Sequence, residues 1–237
     1  MERAASSYGC APSYLRPVAN SDPLTQMKNV FTFIASVPTL ELIMQKPFNP
    51  ILGETFQGYL QGIPIYYEQI SHHPPISAYY MKCKEYTMYG NLVAFINMGL
   101  NTGVGGNSGP MHILMENGSH FECYFPPGEI SGLIYGQRKF RSFGRGYVVE
   151  KKNKLFCEFS IEKESKGIYG GEEKRKMRPG DIIGGIFEVT DEFIQTTCEP
   201  TLNKKFSGIK KDSIVKKLGE ISGVWFEDIY IDGKCVN

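Results

Sequence analysis

The sequence predicts a mostly β protein, a sandwich or a barrel, with a helical segment on its N-terminal side. Two observations carry that expectation. Glycine (26), tyrosine (14) and phenylalanine (15) are abundant among the 237 residues, which favours strands and tight turns. After residue 54, apolar and aromatic runs of strand length recur with turn residues between them, the pattern of an all-β sandwich or barrel. At 41% hydrophobic and 22% charged, the chain has ordinary globular composition, and its length suits one domain with a full core.

Residues 1–21 are small and polar and read as an arm or a disordered tail. Asp22-Pro23 opens a helix: Asp is a good N-cap and Pro fits the first helical position. Leu24, Met27, Phe31 and Ile34 follow at helical spacing and give one apolar face. Pro38 is expected to end or kink this helix, with Leu40, Ile43 and Met44 continuing as a second short one. Thr55–Leu60 and Ile63–Ile70 read as strands joined by a Gln61-Gly62 turn. Ile76–Met81 and Asn91–Met98 are further strands. Gly103-Val104-Gly105-Gly106-Asn107-Ser108-Gly109 lacks the Gly-Lys-Ser/Thr ending of a phosphate loop and reads as a flexible turn. Met111–Glu116 and Ser119–Phe125 form a hairpin across Asn117-Gly118, and Gly146–Lys151 and Leu155–Ile161 form another across Asn153. Residues 162–180 are charged and read as a solvated loop. Ile182–Val189 and Phe193–Thr197 suggest a third hairpin. Lys204-Lys205, Lys210-Lys211 and Lys216-Lys217 are three basic pairs. A short helix carrying some of them, Lys204, Lys205, Lys210 and Lys211 above all, would face an anionic membrane; an ordinary solvated face is the alternative. Asp228–Ile231 leads to an Asp232-Gly233 turn.

Net charge is +1, so nothing in the overall balance draws the chain to nucleic acid. The six cysteines are dispersed without a Cys-x-x-Cys pair, which argues against a cysteine zinc site. Reduced thiols in a cytosolic protein are expected. There is no apolar signal core and no apolar run of about 18 residues, so the expectation is a soluble monomer that touches membranes only peripherally.

Two runs concentrate the unusual chemistry. The first is Lys46-Pro47-Phe48-Asn49-Pro50-Ile51-Leu52-Gly53-Glu54, and the second is Glu68-Gln69-Ile70-Ser71-His72-His73-Pro74-Pro75. Prolines mark strand ends or rigid turns, and the hairpin between the runs brings its outer ends together. Lys46, Asn49, His72 and His73 then offer an ammonium, an amide and two imidazoles to an anion such as a phosphate. Adjacent histidines on a strand point to opposite faces, which makes them poor metal ligands, and no metal or other cofactor is expected. No nucleophile–base spacing argues for an enzyme.

The first run resembles the KPFNPxLGE motif, and the second the EQVSHHPP fingerprint, of oxysterol-binding-protein-related lipid-binding domains, with Ile70 where Val is usual. Gly132-Leu133-Ile134-Tyr135-Gly136 and Gly223-Val224-Trp225 are similar to later landmarks of that family. The resemblance implies an antiparallel β-barrel enclosing a lipid tunnel. It implies non-enzymatic exchange of a sterol or another lipid for phosphatidylinositol 4-phosphate between membranes. It further implies that Lys46, Asn49, Leu52, Gly53, His72 and His73 meet the head group and that residues 1–21, with Tyr8, Tyr14 and Leu15, act as a lid over a domain spanning 22–237. Glu54 and Glu68 are expected to make structural hydrogen bonds. The family continues past the Gly-x-Trp landmark with a Lys, a Glu and an Arg for the head group, so a C-terminally shortened domain is expected, with Arg138, Arg141 or the late lysines as substitutes. A lipid sensor that binds without transporting, and an enzyme using His72 or His73 as a base, are the alternative readings.

Overall fold

The structure, a computed structural model, describes residues 1–40, 48–161, 178, 180–197 and 208–236. The N-terminal segment is helical: α1 (Glu2–Ser6), α2 (Ala11–Leu15), a 3-10 turn at Arg16–Val18, and α3 (Pro23–Leu40). The disordered-tail reading of residues 1–21 is corrected. Ala5, Tyr8, Ala11 and Leu15 recur at helical spacing and are all buried, so burial of this stripe holds two short helices that propensity alone would not. Asp22 caps α3 as expected, accepting from the Leu24 and Thr25 N–H groups at 3.1 and 3.0 Å. Helix α3 runs through Pro38 to Leu40 instead of breaking there; Pro38 removes one bond in the last turn, and the helix extends only two residues past it. The suggested second helix lies outside the described residues.

The strands are β1 (Thr55–Leu60), β2 (Ile63–His72), β3 (Pro75–Lys82), β4 (Tyr86–Met98), β5 (Thr102–Asn107), β6 (Met111–Met115), β7 (His120–Tyr124), β8 (Gly128–Ser131) and β9 (Lys139–Ser142). They continue as β10 (Gly144–Glu150), β11 (Leu155–Ile161), β12 (Asp181–Val189), β13 (Ile214–Val224), β14 (Ile229–Ile231) and β15 (Lys234–Cys235), with helix α4 (Asp191–Thr197) after β12. All fifteen belong to one sheet in the order β1-β2-β3-β4-β6-β7-β10-β11-β12-β13-β14-β15, and β5, β8 and β9 branch from β4. Every pairing is antiparallel.

Helix α3 shows that the sheet curls. Nine strand spacings from β2 to β14 amount to roughly 40 Å if laid flat, whereas 18 helical residues span about 27 Å. Yet α3 reaches toward both ends of this stretch, at one end through Tyr8. Lys28 bonds Asp232 beside β14 at 2.7 Å, and Phe31 meets Phe159 of β11 at 5.3 Å between ring centroids. Phe33 reaches Tyr8, whose ring lies 5.2 Å from Tyr79 of β3. The strands form a curved wall around one core that takes Ile65, Met81, Met88, Ile113, Phe121, Ile186 and Ile229 together with α3. The wall's other face carries a second cluster in which Tyr124, Tyr147, Phe156 and Phe187 meet Phe193 of α4.

Two further expectations change. Phe193–Thr197 is helical, not a hairpin strand: Thr190 Oγ1 accepts from the Phe193 N–H at 3.2 Å, Asp191 and Glu192 occupy the first turn, and both favour a helix start. The glycine-rich run after residue 102 is strand β5, not a flexible turn. A Cβ on Gly105 would stand 2.9 Å from the Phe95 carbonyl oxygen, so the missing side chain lets β5 lie close against β4. The other expected hairpins form, across Gln61-Gly62, Asn117-Gly118 and Asn153.

Candidate functional site

Strand β1 runs antiparallel to β2 from Thr55↔Glu68 to Leu60↔Ile63, and this hairpin stitches the two motif runs together. The Gly53 N–H donates to the Gln69 carbonyl and the Gln69 N–H to the Glu54 carbonyl, both at 2.9 Å. Glu54 makes a structural bond, as expected, accepting from the Ile51 N–H at 3.0 Å. Gly53 has φ +79, a left-handed conformation that Gly adopts without steric cost. Nothing lies within 4 Å of the Cβ it lacks, so its face is open.

Just beyond, β2 bulges. Gln69 pairs with Ser77 but Ser71 with Ile76, leaving Ile70 extra. The buried Gln69 side chain fixes the bulge: its Nε2 donates to the Ser71 carbonyl at 2.6 Å, and its Oε1 accepts from the Ser77 hydroxyl. His72 then pairs with Pro75, leaving His73 and Pro74 at the tip. Both imidazoles are exposed, with ring centroids 4.7 Å apart at 65°. Gln69 is a positioning residue that the sequence analysis did not single out; a buried amide before a bulge shows no local signal.

The register brings the end of the first run, Gly53-Glu54, beside Gln69 at the base of the His72–His73 tip. Asn49, Leu52 and Gly53 are exposed. Phe48, Ile51 and Leu52 are 100%, 70% and 65% exposed. Three apolar side chains standing in solvent beside two imidazoles suit an amphiphile, which has an anionic and an apolar part. Lys46, Lys204 and Lys205 lie outside the described residues.

Lys210 and Lys211 are exposed, and a 3-10 turn at Lys211–Ser213 follows. Lys216 and Lys217 are on strand β13, not a helix. The lysines precede Ile214, which pairs with Val189, whereas the opposite ends of β12 and β13 meet at Asp181↔Val224. Following the register across the sheet, the end of β12 at Asp181 is the end that carries His72. Lys210 and Lys211 are therefore at the opposite strand ends from the histidine tip.

A cavity of about 250 Å³ opens beside this rim, in the fork where β4 leaves β6 to pair with β5. Leu92, Ile96, Phe125, Ile130 and Phe140 make it apolar, and Tyr8 and Val37 close it from the helical segment. Asn107 is at its wall but is consumed structurally, accepting from the Val93 N–H at 2.7 Å and bonding Gly109 at 3.0 and 3.1 Å. Burial pushes the Tyr79 phenol behind Tyr8 well above its ordinary value. Rim and cavity are adjacent: Pro75 faces His72, Ile76 faces Val93, and Leu92 lines the cavity. Two strand spacings separate them, about 10 Å. Arg141 forms an ion pair with Glu129 at 2.9 Å and lies over the Phe143 ring.

Comparison with known proteins matches the family model described as oxysterol-binding protein over residues 5–184. Oxysterol-binding protein 9 of Dictyostelium discoideum is 30% identical over 238 residues, covering 98% of this chain and 53% of that protein. Oxysterol-binding protein-related protein 5 of Mus musculus is 26% identical over 72% of this chain and 20% of its own length. Among solved structures, the Osh1 ORD domain in complex with cholesterol superposes with a TM-score of 0.71 at 19% identity, covering 96% of this chain and 48% of that one. The Osh3 ORD in complex with PI(4)P from Saccharomyces cerevisiae gives a TM-score of 0.67 at 19% identity, over 96% and 54%. The chain thus spans about half the length of the first of these relatives and of the two solved domains, whose fold it shares.

Proposed function

The chain belongs to the oxysterol-binding protein family, and we propose that it binds lipids and moves them between membranes, exchanging a sterol or another lipid for phosphatidylinositol 4-phosphate. The observation that carries this reading is the adjacency of an exposed rim bearing His72, His73 and Asn49 to an apolar cavity. In this reading His72 and His73 donate to the head-group phosphate, Asn49 adds an amide, and the open backbone at Leu52-Gly53 allows close approach. Lys46 supplies the countercharge. The acyl chains, or the sterol that competes with them, enter between Leu92, Ile96, Phe125 and Phe140. No bond is made or broken, and the protein is not an enzyme.

Residues 1–21 act as a cover through Tyr8, over a lipid-binding domain of residues 22–237. The monomer works from the aqueous phase and touches membranes transiently. The rim end carries Phe48, Ile51 and Leu52, and β4 leads there into exposed Ile96, Met98 and Leu100. Such side chains favour insertion at this end over docking through Lys210 and Lys211. Extraction of labelled phosphatidylinositol 4-phosphate and of a sterol from liposomes, singly and together, tests the reading. The expected result is uptake of each alone and mutual displacement in the mixture. Uptake of neither, or additive uptake of both, would overturn it.

A further inference from the structure

We propose that His112, His120 and Glu122 form a binding site for a divalent transition-metal ion of the zinc class on the outer face of the sheet. The three residues lie on β6 and β7. Their register sets His112 directly opposite Glu122, with His120 one diagonal away opposite Leu114. The residues alternating with them, Met111, Ile113, Phe121 and Cys123, are buried in the main core, so side-chain alternation turns the trio to the other face.

The geometry there is close to that of a ligand set. His112 Nδ1 and His120 Nε2 are 3.2 Å apart. Two nitrogens bound to a tetrahedral zinc ion at about 2.0–2.1 Å are separated by about 3.3 Å. One ring nitrogen of each histidine and a Glu122 carboxylate oxygen lie within 4.8 Å of one another, the one such trio among the described residues. The rings are held in place: Tyr89 stacks on His112 at 4.9 Å and 18°. Glu122 is buried and already holds one cation, since Lys151 Nζ donates to its Oε1 at 2.6 Å. A carboxylate has a second oxygen, but the Lys151 ammonium competes with a dication for Glu122. Two imidazoles and one carboxylate leave a fourth position for water. The ion would clamp β6 to β7.

All four histidines of the chain fall into two pairs, which makes the test clean. Cobalt(II) is titrated into the metal-free 237-residue chain, and the visible absorption of tetrahedral cobalt is followed, with zinc then displacing it. The proposal expects saturation at one equivalent. It expects a loss of about tenfold or more in affinity for His112→Ala and His120→Ala, no change for His72→Ala/His73→Ala, and tighter binding for Lys151→Met, which removes the competing ammonium. Failure of the parent to saturate at one equivalent would overturn it. So would binding that survives loss of both His112 and His120, or binding lost with His72 and His73. Lys151→Met leaves both imidazoles in place, so unchanged or weaker binding in that variant overturns the proposal even if a histidine variant does not fold.

Discussion

The rim and the wall of this protein are built on opposite principles. Every residue of β11 is buried, as are six of seven in β10 and most of β12, because α3 covers one face and the α4 cluster the other. Their sequences are accordingly near-continuous apolar runs. From residue 48 to 54 and at His72 to Pro74 every side chain is exposed or half-buried, and the residues are Pro, Asn, Gly and His with stranded Phe, Ile and Leu. Such residues add little to a core. Their chemistry is explained by what they meet from solvent, so substitutions should separate cleanly into losses of stability at the wall and losses of lipid at the rim.

The largest expected effect is at the wall. Phe159 is 1% exposed and packs edge-on against Phe31 at 5.3 Å. Phe159→Ala should lower unfolding free energy in urea by about 3–5 kcal/mol. A loss under about 1 kcal/mol would break the comparison, because the wall would not be carrying the fold. Gln69 belongs to both regions. Gln69→Ala removes the bonds to Ser71 and Ser77 and should cost about 1–3 kcal/mol. It should also weaken phosphoinositide uptake by loosening the bulge that presents the histidines; stability loss with normal uptake would show that the bulge does not position them.

A smaller effect is expected at α3. Asp22→Ala should cost about 1 kcal/mol without touching uptake. Hydrogen bonds to Thr25 hold the Asp22 carboxyl below its ordinary 3.8. A depressed folded-state value means that the cap's contribution is present above the unfolded value and is lost as pH falls through the folded one. Asp22→Asn keeps the acceptor and should remove this acid-side dependence; an unchanged acid limb in thermal melts would contradict it.

What was legible in the chain follows the same division. The β1–β2 hairpin, the Asn117-Gly118 turn and the Asp22 cap are local devices, written in a few consecutive residues, and all three form as expected. The two motif runs identified the family before any fold was known. Contacts between distant residues had no such signature. Helices α1 and α2 depend on a stripe from Ala5 to Leu15 that makes sense only against the core. Phe193 was read as a strand residue because its partner, Phe156 at 4.9 Å, lies 37 positions away. The His112–His120 contact spans only eight positions across the Asn117-Gly118 turn and follows from that hairpin's register, whereas His72-His73 is conspicuous without it.

The smallest stability effect is expected for His72→Ala/His73→Ala: within about 0.5 kcal/mol of the parent, as for exposed positions generally. That makes this variant the most direct test of the lipid-binding account. Extraction of phosphatidylinositol 4-phosphate from liposomes should be measured for the parent and the variant, after their unfolding midpoints are shown to agree. The account predicts that the parent extracts the lipid and that the variant's affinity falls about tenfold or more. Equal extraction by the two chains would contradict it.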